Sequence, residues 1–255
     1  MILTIQMKNN YSFYKGHETF VAKVRDLEKM SYHRYRPVMT SFLSPVEWSN
    51  IKDYLDKDTY CYISGGYANA QRRMACISPF EIEPVLDFDC LVSAYDARFK
   101  ALQHSDVLGA LMHLGIDRDF LGDFVLLEDH IYIFCKQSLS EFIQKECTQI
   151  GRCPVAFSIC DGRNLHFDNY EEINVNCASL RLDAIVAALA HCSRSEAMKM
   201  IHQGLIKVND VVLEQNCQLC NNDFVSIRRV GRFQFKEVCH QTRKQRLVLR
   251  FLQFK

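Results

Sequence analysis

The chain has 255 residues, 48% of them apolar and 24% charged, the balance of a folded globular protein rather than a disordered one, with length for one large domain or two to three small ones. Its net charge of +1 hides an asymmetry: residues 1–175 hold 18 Lys+Arg against 24 Asp+Glu, whereas residues 176–255 hold 13 against 6, so an acidic body carries a basic end suited to a polyanion. No run approaches the roughly 20 apolar residues of a membrane helix, and MILTIQMKNNYSFYKG lacks the basic-then-apolar pattern of a signal peptide; a cytoplasmic protein without membrane association is expected.

Phe20, Val24, Leu27 and Met30 recur at helical spacing, and Arg36-Pro37 ends that helix. Ser44-Pro45 reads as an N-cap with proline at the first helical position, opening a helix to about Leu55. Cys61–Ile63 is strand-like and Gly65-Gly66 is a turn. Arg72 and Arg73 then stand either as phosphate contacts or as solvated cations. Met74–Ser78 and Val85–Tyr95 read as strands. Ser105-Asp106 caps a helix with Val107, Leu111, Met112 and Leu114 as its apolar positions and Gly115 at its stop. Phe124–Leu127 and Ile131–Phe134 form a hairpin around Glu128-Asp129-His130. Ser138 caps a further helix carrying Leu139, Phe142 and Ile143, and Val155–Ile159 closes the segment as a strand. This order suits a mixed sheet with helices packed on it, in a ferredoxin-like split βαβ arrangement. Residues 161–179 are polar and poorly periodic, and read as a connector.

In the last third, Leu182, Ile185, Val186 and Leu189 give one helix an apolar stripe. Ser193 caps a second helix, and Glu196 three residues on completes a capping box. Ala197, Met200 and Ile201 form its buried face, and Gly204 fits the position after it. Leu205–Asn209, Val211–Leu213 and Phe224–Ile227 read as strands. The second helix leaves Arg194, Ser195, Lys199, His202 and Gln203 off its buried stripe, with Arg181 before it and Lys207 and Asn209 after it. A helix N-terminus carries unpaired N–H groups and partial positive charge, and arginine adds a forked donor, so this surface suits a nucleic-acid backbone. Arg181, Ser193, Arg194, Ser195, Lys199, Gln203, Lys207 and Asn209 are the expected RNA contacts, with Arg228, Arg229, Arg232, Arg243, Lys244 and Arg246 as a second basic set. The resulting divisions are 1–73, mostly helical; 74–160, α+β; 161–179, connector; and 180–255, two helices followed by strands.

Twelve cysteines scattered from Cys61 to Cys239 read as reduced, mostly buried thiols. Cys217-Gln-Leu-Cys220 has zinc-ligand spacing, but a site needs two more ligands, and Cys239 and His240 are the nearest candidates without forming a second spaced pair. No metal or cofactor is expected.

Arg181-Leu182-Asp183, Ser193-Arg194-Ser195-Glu196-Ala197, Ile201-x-x-Gly204-x-Ile206-x-Val208-Asn209 and Asp223-x-Val225-Ser226-Ile227-Arg228 resemble the RNA-binding domain named after small-subunit ribosomal protein S4. Asp210 stands where glycine often follows the asparagine, and Asn222 where glycine often precedes Asp223; both residue types tolerate left-handed turns. Arg34–Pro37, Gly65–Tyr67, His104–Met112, Leu114–Ile116, Gly122-Asp123, Ile150–Arg152, Gly231–Phe233 and Thr242–Lys244 are similar to the bacterial YlmH-type proteins, so the likeness runs over nearly the whole chain. Arg229 and Gln245 depart from it, standing where small residues or glycine are expected. The resemblance implies an α+β protein: a helical N-terminal domain, a central ferredoxin-like, RRM-like domain that binds RNA, and a C-terminal S4 domain. It also implies a non-enzymatic factor binding ribosomal RNA and peptidyl-tRNA on the large ribosomal subunit. Its setting would be ribosome-associated quality control, during C-terminal tailing of stalled chains, beside other quality-control factors and as a monomer.

S4 domains also accompany catalytic domains, so an RNA-modifying enzyme, a pseudouridine synthase or an rRNA methyltransferase, is the alternative. Asp183 lies inside the binding module and reads as local capping or ion pairing rather than as a synthase nucleophile. Gly65-Gly66 lacks the strand-to-helix setting of a methyltransferase loop. Lys29-Met30-Ser31 is too short a match to indicate a tyrosyl-tRNA synthetase. A binding factor, not an enzyme, is expected.

Overall fold

A computed structural model describes residues 17–84, 86–98, 101–162, 165 and 170–254. They fall into two compact units, Glu18–Phe167 and one containing residues 168–255. The opening segment 1–16 and Val85 lie outside the described residues.

The first unit opens with α1 (His17–Arg34). Phe20 and Val24 are buried as their spacing predicts, but Met30 is exposed and the inward stripe runs instead through Glu28 and Ser31. Burial of polar groups is tolerated when they are hydrogen-bonded. Glu28 Oε1 accepts from Asp56 N at 2.7 Å and from Thr59 Oγ1 at 2.6 Å, and Ser31 Oγ donates to Arg36 O at 2.7 Å. After β1 (Val38–Met39) comes α2 (Pro45–Asn50), where the Ser44 N–H donates to Glu47 Oε2 at 2.7 Å; a 3-10 turn carries it to Tyr54. β2 (Tyr60–Ser64) and β3 (Met74–Ser78) complete a three-stranded antiparallel sheet with β3 in the middle. The expected division at 73/74 therefore falls inside this sheet, at the start of a fully buried strand.

The remaining elements are β4 (Phe88–Ala94), α3 (His104–His113), β5 (Leu121–Leu126), β6 (His130–Lys136), α4 (Ser140–Glu146), the short β7 (Gln149–Ile150) and β8 (Cys153–Pro154), and β9 (Ser158–Cys160). The four-stranded antiparallel sheet has the order β5-β6-β4-β9, with α3 and α4 as its two crossovers, which is the ferredoxin-like arrangement. The helices cover one face: Val107, Leu111 and Ile143 pack with Leu91, Ile131 and Ile133. Met112 and Phe142, counted among the apolar positions, are exposed.

The other face is also covered. Phe42, Tyr67, Ala70 and Met74 pack on Cys90, Val125 and Phe134. This explains why Ile131–Phe134 reads as a continuous apolar run rather than an alternating one: a strand buried on both faces has no polar side. Asp123 fastens the junction. It is 8% exposed and accepts from Tyr67 Oη at 2.7 Å, Gln71 N at 2.6 Å and Arg72 N at 3.0 Å. A Cβ on the neighbouring Gly122 would stand 2.7 Å from the Phe42 ring, so only glycine lets the layers close here. Arg72 and Arg73 belong to the same junction rather than to a phosphate surface. Arg72 donates to the carbonyls of Leu121 and Phe42, and Arg73 donates to those of Ala70 and Ala68 with its guanidinium 4.3 Å over Trp48.

The second unit packs α5 (Leu182–Leu189) and α6 (Arg194–His202) on a six-stranded antiparallel sheet of order β10-β15-β14-β13-β11-β12. These strands are β10 (Tyr170–Cys177), β11 (Ile206–Val208), β12 (Val211–Val212), β13 (Phe224–Ile227), β14 (Gly231–Gln241) and β15 (Leu247–Phe254). Leu182, Ile185, Val186 and Ile201 meet Ile206, Val225, Phe233 and Phe251 in its core. The described part of the expected connector 161–179 includes the full strand β10, paired with β15 along its whole length. Its alternation of Ile173, Val175 and Cys177 with polar residues is a strand signal, masked by the acidic pair that precedes it.

Replacing Asp123 with alanine removes one buried and two part-buried hydrogen bonds, and a buried bond left unmade costs about 1–3 kcal/mol. Asp123→Ala is expected to lower unfolding free energy by about 2–4 kcal/mol in urea titrations, with the loss confined to the transition of the first unit.

Candidate nucleic-acid interface

The capping box predicted at Ser193 forms. Ser193 Oγ accepts from Glu196 N at 3.2 Å, and Ser193 N donates to Glu196 Oε2 at 2.8 Å. Hydrogen bonds from Ser193 hold the Glu196 carboxyl below its ordinary range. At the other end Gly204, at φ +67, allows the Leu205 N–H to reach Met200 O and its own N–H to reach Ile201 O, a Schellman closure that turns the chain directly into β11. Helix α6 is thus fixed at both ends, with Ala197 and Ile201 buried and Arg194, Ser195, Lys199 and Gln203 exposed.

Asp183 ties the two helix starts together. Its side chain is 5% exposed and receives Arg181 Nε at 3.1 Å and Arg194 Nη2 at 2.5 Å, while the two arginine side chains are 58% and 54% exposed. Arg181 occupies the position before α5 and Arg194 the first position of α6. Burial alone would raise the Asp183 carboxyl, but the neighbouring Asn216 side chain and hydrogen bonds from Arg181 and Arg194 overcome it and hold the group well below the usual carboxylate range. Asn216 also accepts from Asp183 N at 3.1 Å through its side-chain carbonyl. Sequence reasoning missed it, because it lies in an irregular stretch with no periodicity to mark it.

The expected contacts divide by position. Arg181, Ser193, Arg194, Ser195, Lys199 and Gln203 gather on the helix pair. Lys207 is exposed on β11 and pairs in register with Ser226, which pairs with Arg232. Arg232 lies 4.9 Å over the Phe224 ring and reaches Asp210 at 3.3 Å. Asn209 uses its side chain within the fold: Nδ2 donates to Asp223 Oδ1, and Oδ1 accepts from Phe224 N, both at 2.9 Å. Arg228 and Arg229 stand exposed on the turn into β14. Arg243 and Lys244 stand on the turn between β14 and β15, and Arg246 donates to Asn176 O at 3.1 Å. Since β14 has 11 residues, its two ends lie about 30 Å apart at the rise of a strand, so the second basic set is not one patch but two.

Four departures noted in the sequence share a cause. Asp210, Asn222, Arg229 and Gln245 have φ of 65°, 71°, 66° and 59°, the left-handed region where glycine is the unstrained residue. Cys217 and Cys220 serve the backbone. Cys217 O accepts from Leu182 N at 2.8 Å, Cys220 N donates to Asp223 at 2.7 Å, and burial pushes the Cys217 thiol up to about 11. Among the described residues no group of three His, Cys, Asp or Glu is placed to hold a metal, and no helix is long and apolar enough to cross a membrane.

Residues 87–163 match the family described as "Putative RNA-binding domain in YlmH", and residues 180–225 match the S4 domain. The chain is 28% identical over 242 residues to the ribosome-associated protein quality control protein P2 of Bacillus subtilis (strain 168), covering 92% of this chain and 94% of that one. It is also similar to the solved cell division protein ylmH from Streptococcus pneumoniae, with 24% identity and a TM-score of 0.49 over 56% of this chain and 90% of that one.

Two outcomes are expected. A carboxyl held low in the fold stabilises fully above its unfolded value of 3.8 and loses that contribution as pH falls below it. Asp183→Asn should therefore be less stable than wild type at neutral pH, and should lose less on acidification from about pH 5 to 3 in urea midpoints. At Gln245, left-handed strain of about 1–2 kcal/mol exceeds the entropic cost of glycine at about 0.5–1 kcal/mol. Gln245→Gly is expected to raise stability by about 0.5–1 kcal/mol, and a lower denaturation midpoint would contradict it.

Proposed function

The chain pairs a YlmH-type RNA-binding domain with a C-terminal S4 domain, and from that premise we propose that it is a non-enzymatic cytoplasmic factor of ribosome-associated quality control. It binds ribosomal RNA and peptidyl-tRNA on the large subunit during C-terminal tailing of stalled chains. The observation that carries this reading is the rigid α5–α6 corner: two arginines aimed by one buried carboxylate beside a capped helix N-terminus. Phosphate oxygens are the ligands such a corner suits, since N–H groups, helix dipole and guanidinium charge all favour an anion there. The excess of 13 Lys+Arg over 6 Asp+Glu in residues 176–255 acts in the same direction. The 28% identity to a protein named for ribosome-associated quality control supports the setting.

Arg181, Arg194, Ser195, Lys199, Gln203 and Lys207 are the proposed direct contacts. Ser193 and Asn209 act by positioning, because their side chains are engaged in the capping box and in the Asp223 turn. Arg228, Arg229 and Arg232 form one outlying contact, and Arg243, Lys244 and Arg246 another.

Co-sedimentation with large ribosomal subunits over a salt series tests the proposal. Each phosphate contact removed should lower the slope of log affinity against log salt by about 1. Arg194→Ala combined with Lys199→Ala is expected to weaken binding and flatten that slope by about 2, with the circular dichroism spectrum unchanged. Identical affinity and slope in the double variant would refute the assignment.

A further inference from the structure

Cys90 and Cys160 stand directly opposite each other on the antiparallel neighbours β4 and β9. The Cys160 thiol donates to the Cys90 sulfur across 3.4 Å. Opposed residues of an antiparallel pair have Cα atoms about 4.5–5.5 Å apart, inside the roughly 4.4–6.8 Å that disulfides span. The sulfurs need only close to about 2.05 Å, a movement within reach of small rotations about the two χ1 bonds. We propose that Cys90 and Cys160 are a redox modification site, joined as an intramolecular disulfide when the protein meets a peroxide.

Side-by-side thiols in an apolar cluster often reflect size alone. Register sets this pair apart. Cys90 is packed with Phe42 and Phe134 and is 5% exposed, whereas Cys160 is half-buried on a three-residue edge strand. Cys160 is therefore the thiol a small oxidant reaches first. Its thiolate attacks one peroxide oxygen and the O–O bond breaks, leaving a sulfenic acid and a hydroxide that takes up the thiol's proton as water. The Cys90 sulfur then attacks the sulfenyl sulfur, the S–O bond breaks, and the departing hydroxide leaves with the Cys90 proton as a second water. Two electrons pass from the thiols to one peroxide. Burial raises both thiols above their ordinary range, so the reaction requires excess peroxide rather than trace exposure. The product would tie β9, the last strand of its unit, covalently to the middle of the sheet.

The test does not depend on RNA binding. The whole protein is treated with hydrogen peroxide, unfolded in the presence of N-ethylmaleimide, digested without reductant and read by mass spectrometry. The expected product is a peptide pair joined through Cys90 and Cys160, two hydrogens lighter than its free parts and split by dithiothreitol. Cys160→Ser, at the more exposed position, should abolish that product and leave Cys90 alkylated. The proposal is overturned if both cysteines carry maleimide at a peroxide dose that oxidises the protein's other thiols, or if either joins a third cysteine instead. Because the decisive measurement is made on the unmodified sequence, a poorly folding variant does not weaken it.

Discussion

The basic end of this protein depends on a carboxylate buried between two helix starts. Asp183 is costly to bury as an anion, and unpaired it would be far worse. Its two arginine partners relieve that cost, and the relief is conditional on Arg181 and Arg194 staying where they are. An exposed ion pair is worth only about 0–1 kcal/mol and holds long side chains loosely. Here one partner is almost wholly enclosed, so two half-exposed guanidiniums are anchored at one end while their outer edges face solvent. The same carboxylate also sets the spacing of the two helices, because each arginine belongs to a different helix start. Geometry and charge at this corner are therefore one property.

The central domain illustrates how topology and surface part company. Its strand order is that of many RNA-binding sheets, in which an open face stacks bases. In this chain that face is filled by Phe42, Tyr67, Ala70 and Met74, and Asp123 clamps the covering segment down. A sheet closed on both faces is a core, so any RNA contact made by residues 87–163 falls to helices, loops or edges rather than to the sheet.

Much of this was legible in the sequence because it is local. The capping box at Ser193, the stop at Gly204, the hairpin around Glu128–His130 and the apolar stripes of α5 and α3 follow from spacing alone. What stayed hidden is non-local. Arg72 and Arg73 resemble surface cations until the carbonyls they serve, some 30 to 50 residues away for Arg72, are folded against them. Asn209 resembles an RNA contact until Asp223 and Phe224 take up its amide. Strand β10 is too polar at its start to stand out, and acquires its identity only by pairing with the end of the chain. Of the two roles its place suggests, capping and ion pairing, Asp183 takes up ion pairing, and nothing in its spacing announces that it serves two arginines 13 positions apart.

If the basic ends of β14 contact RNA as proposed, the non-glycine residues held in left-handed turns matter for binding as well as for stability. Glycine at Arg229 or Gln245 would relax the backbone, yet it would also widen the range of shapes open to the turn. With bulky side chains there, each turn is narrowed to few conformations before any ligand arrives. A cation on such a turn gives up less freedom on meeting a phosphate, so less of its attraction is spent on ordering. Local strain in the folded protein is in this way exchanged for preorganisation, and the arginines and lysine at the two ends of β14 are presented in place rather than searched for.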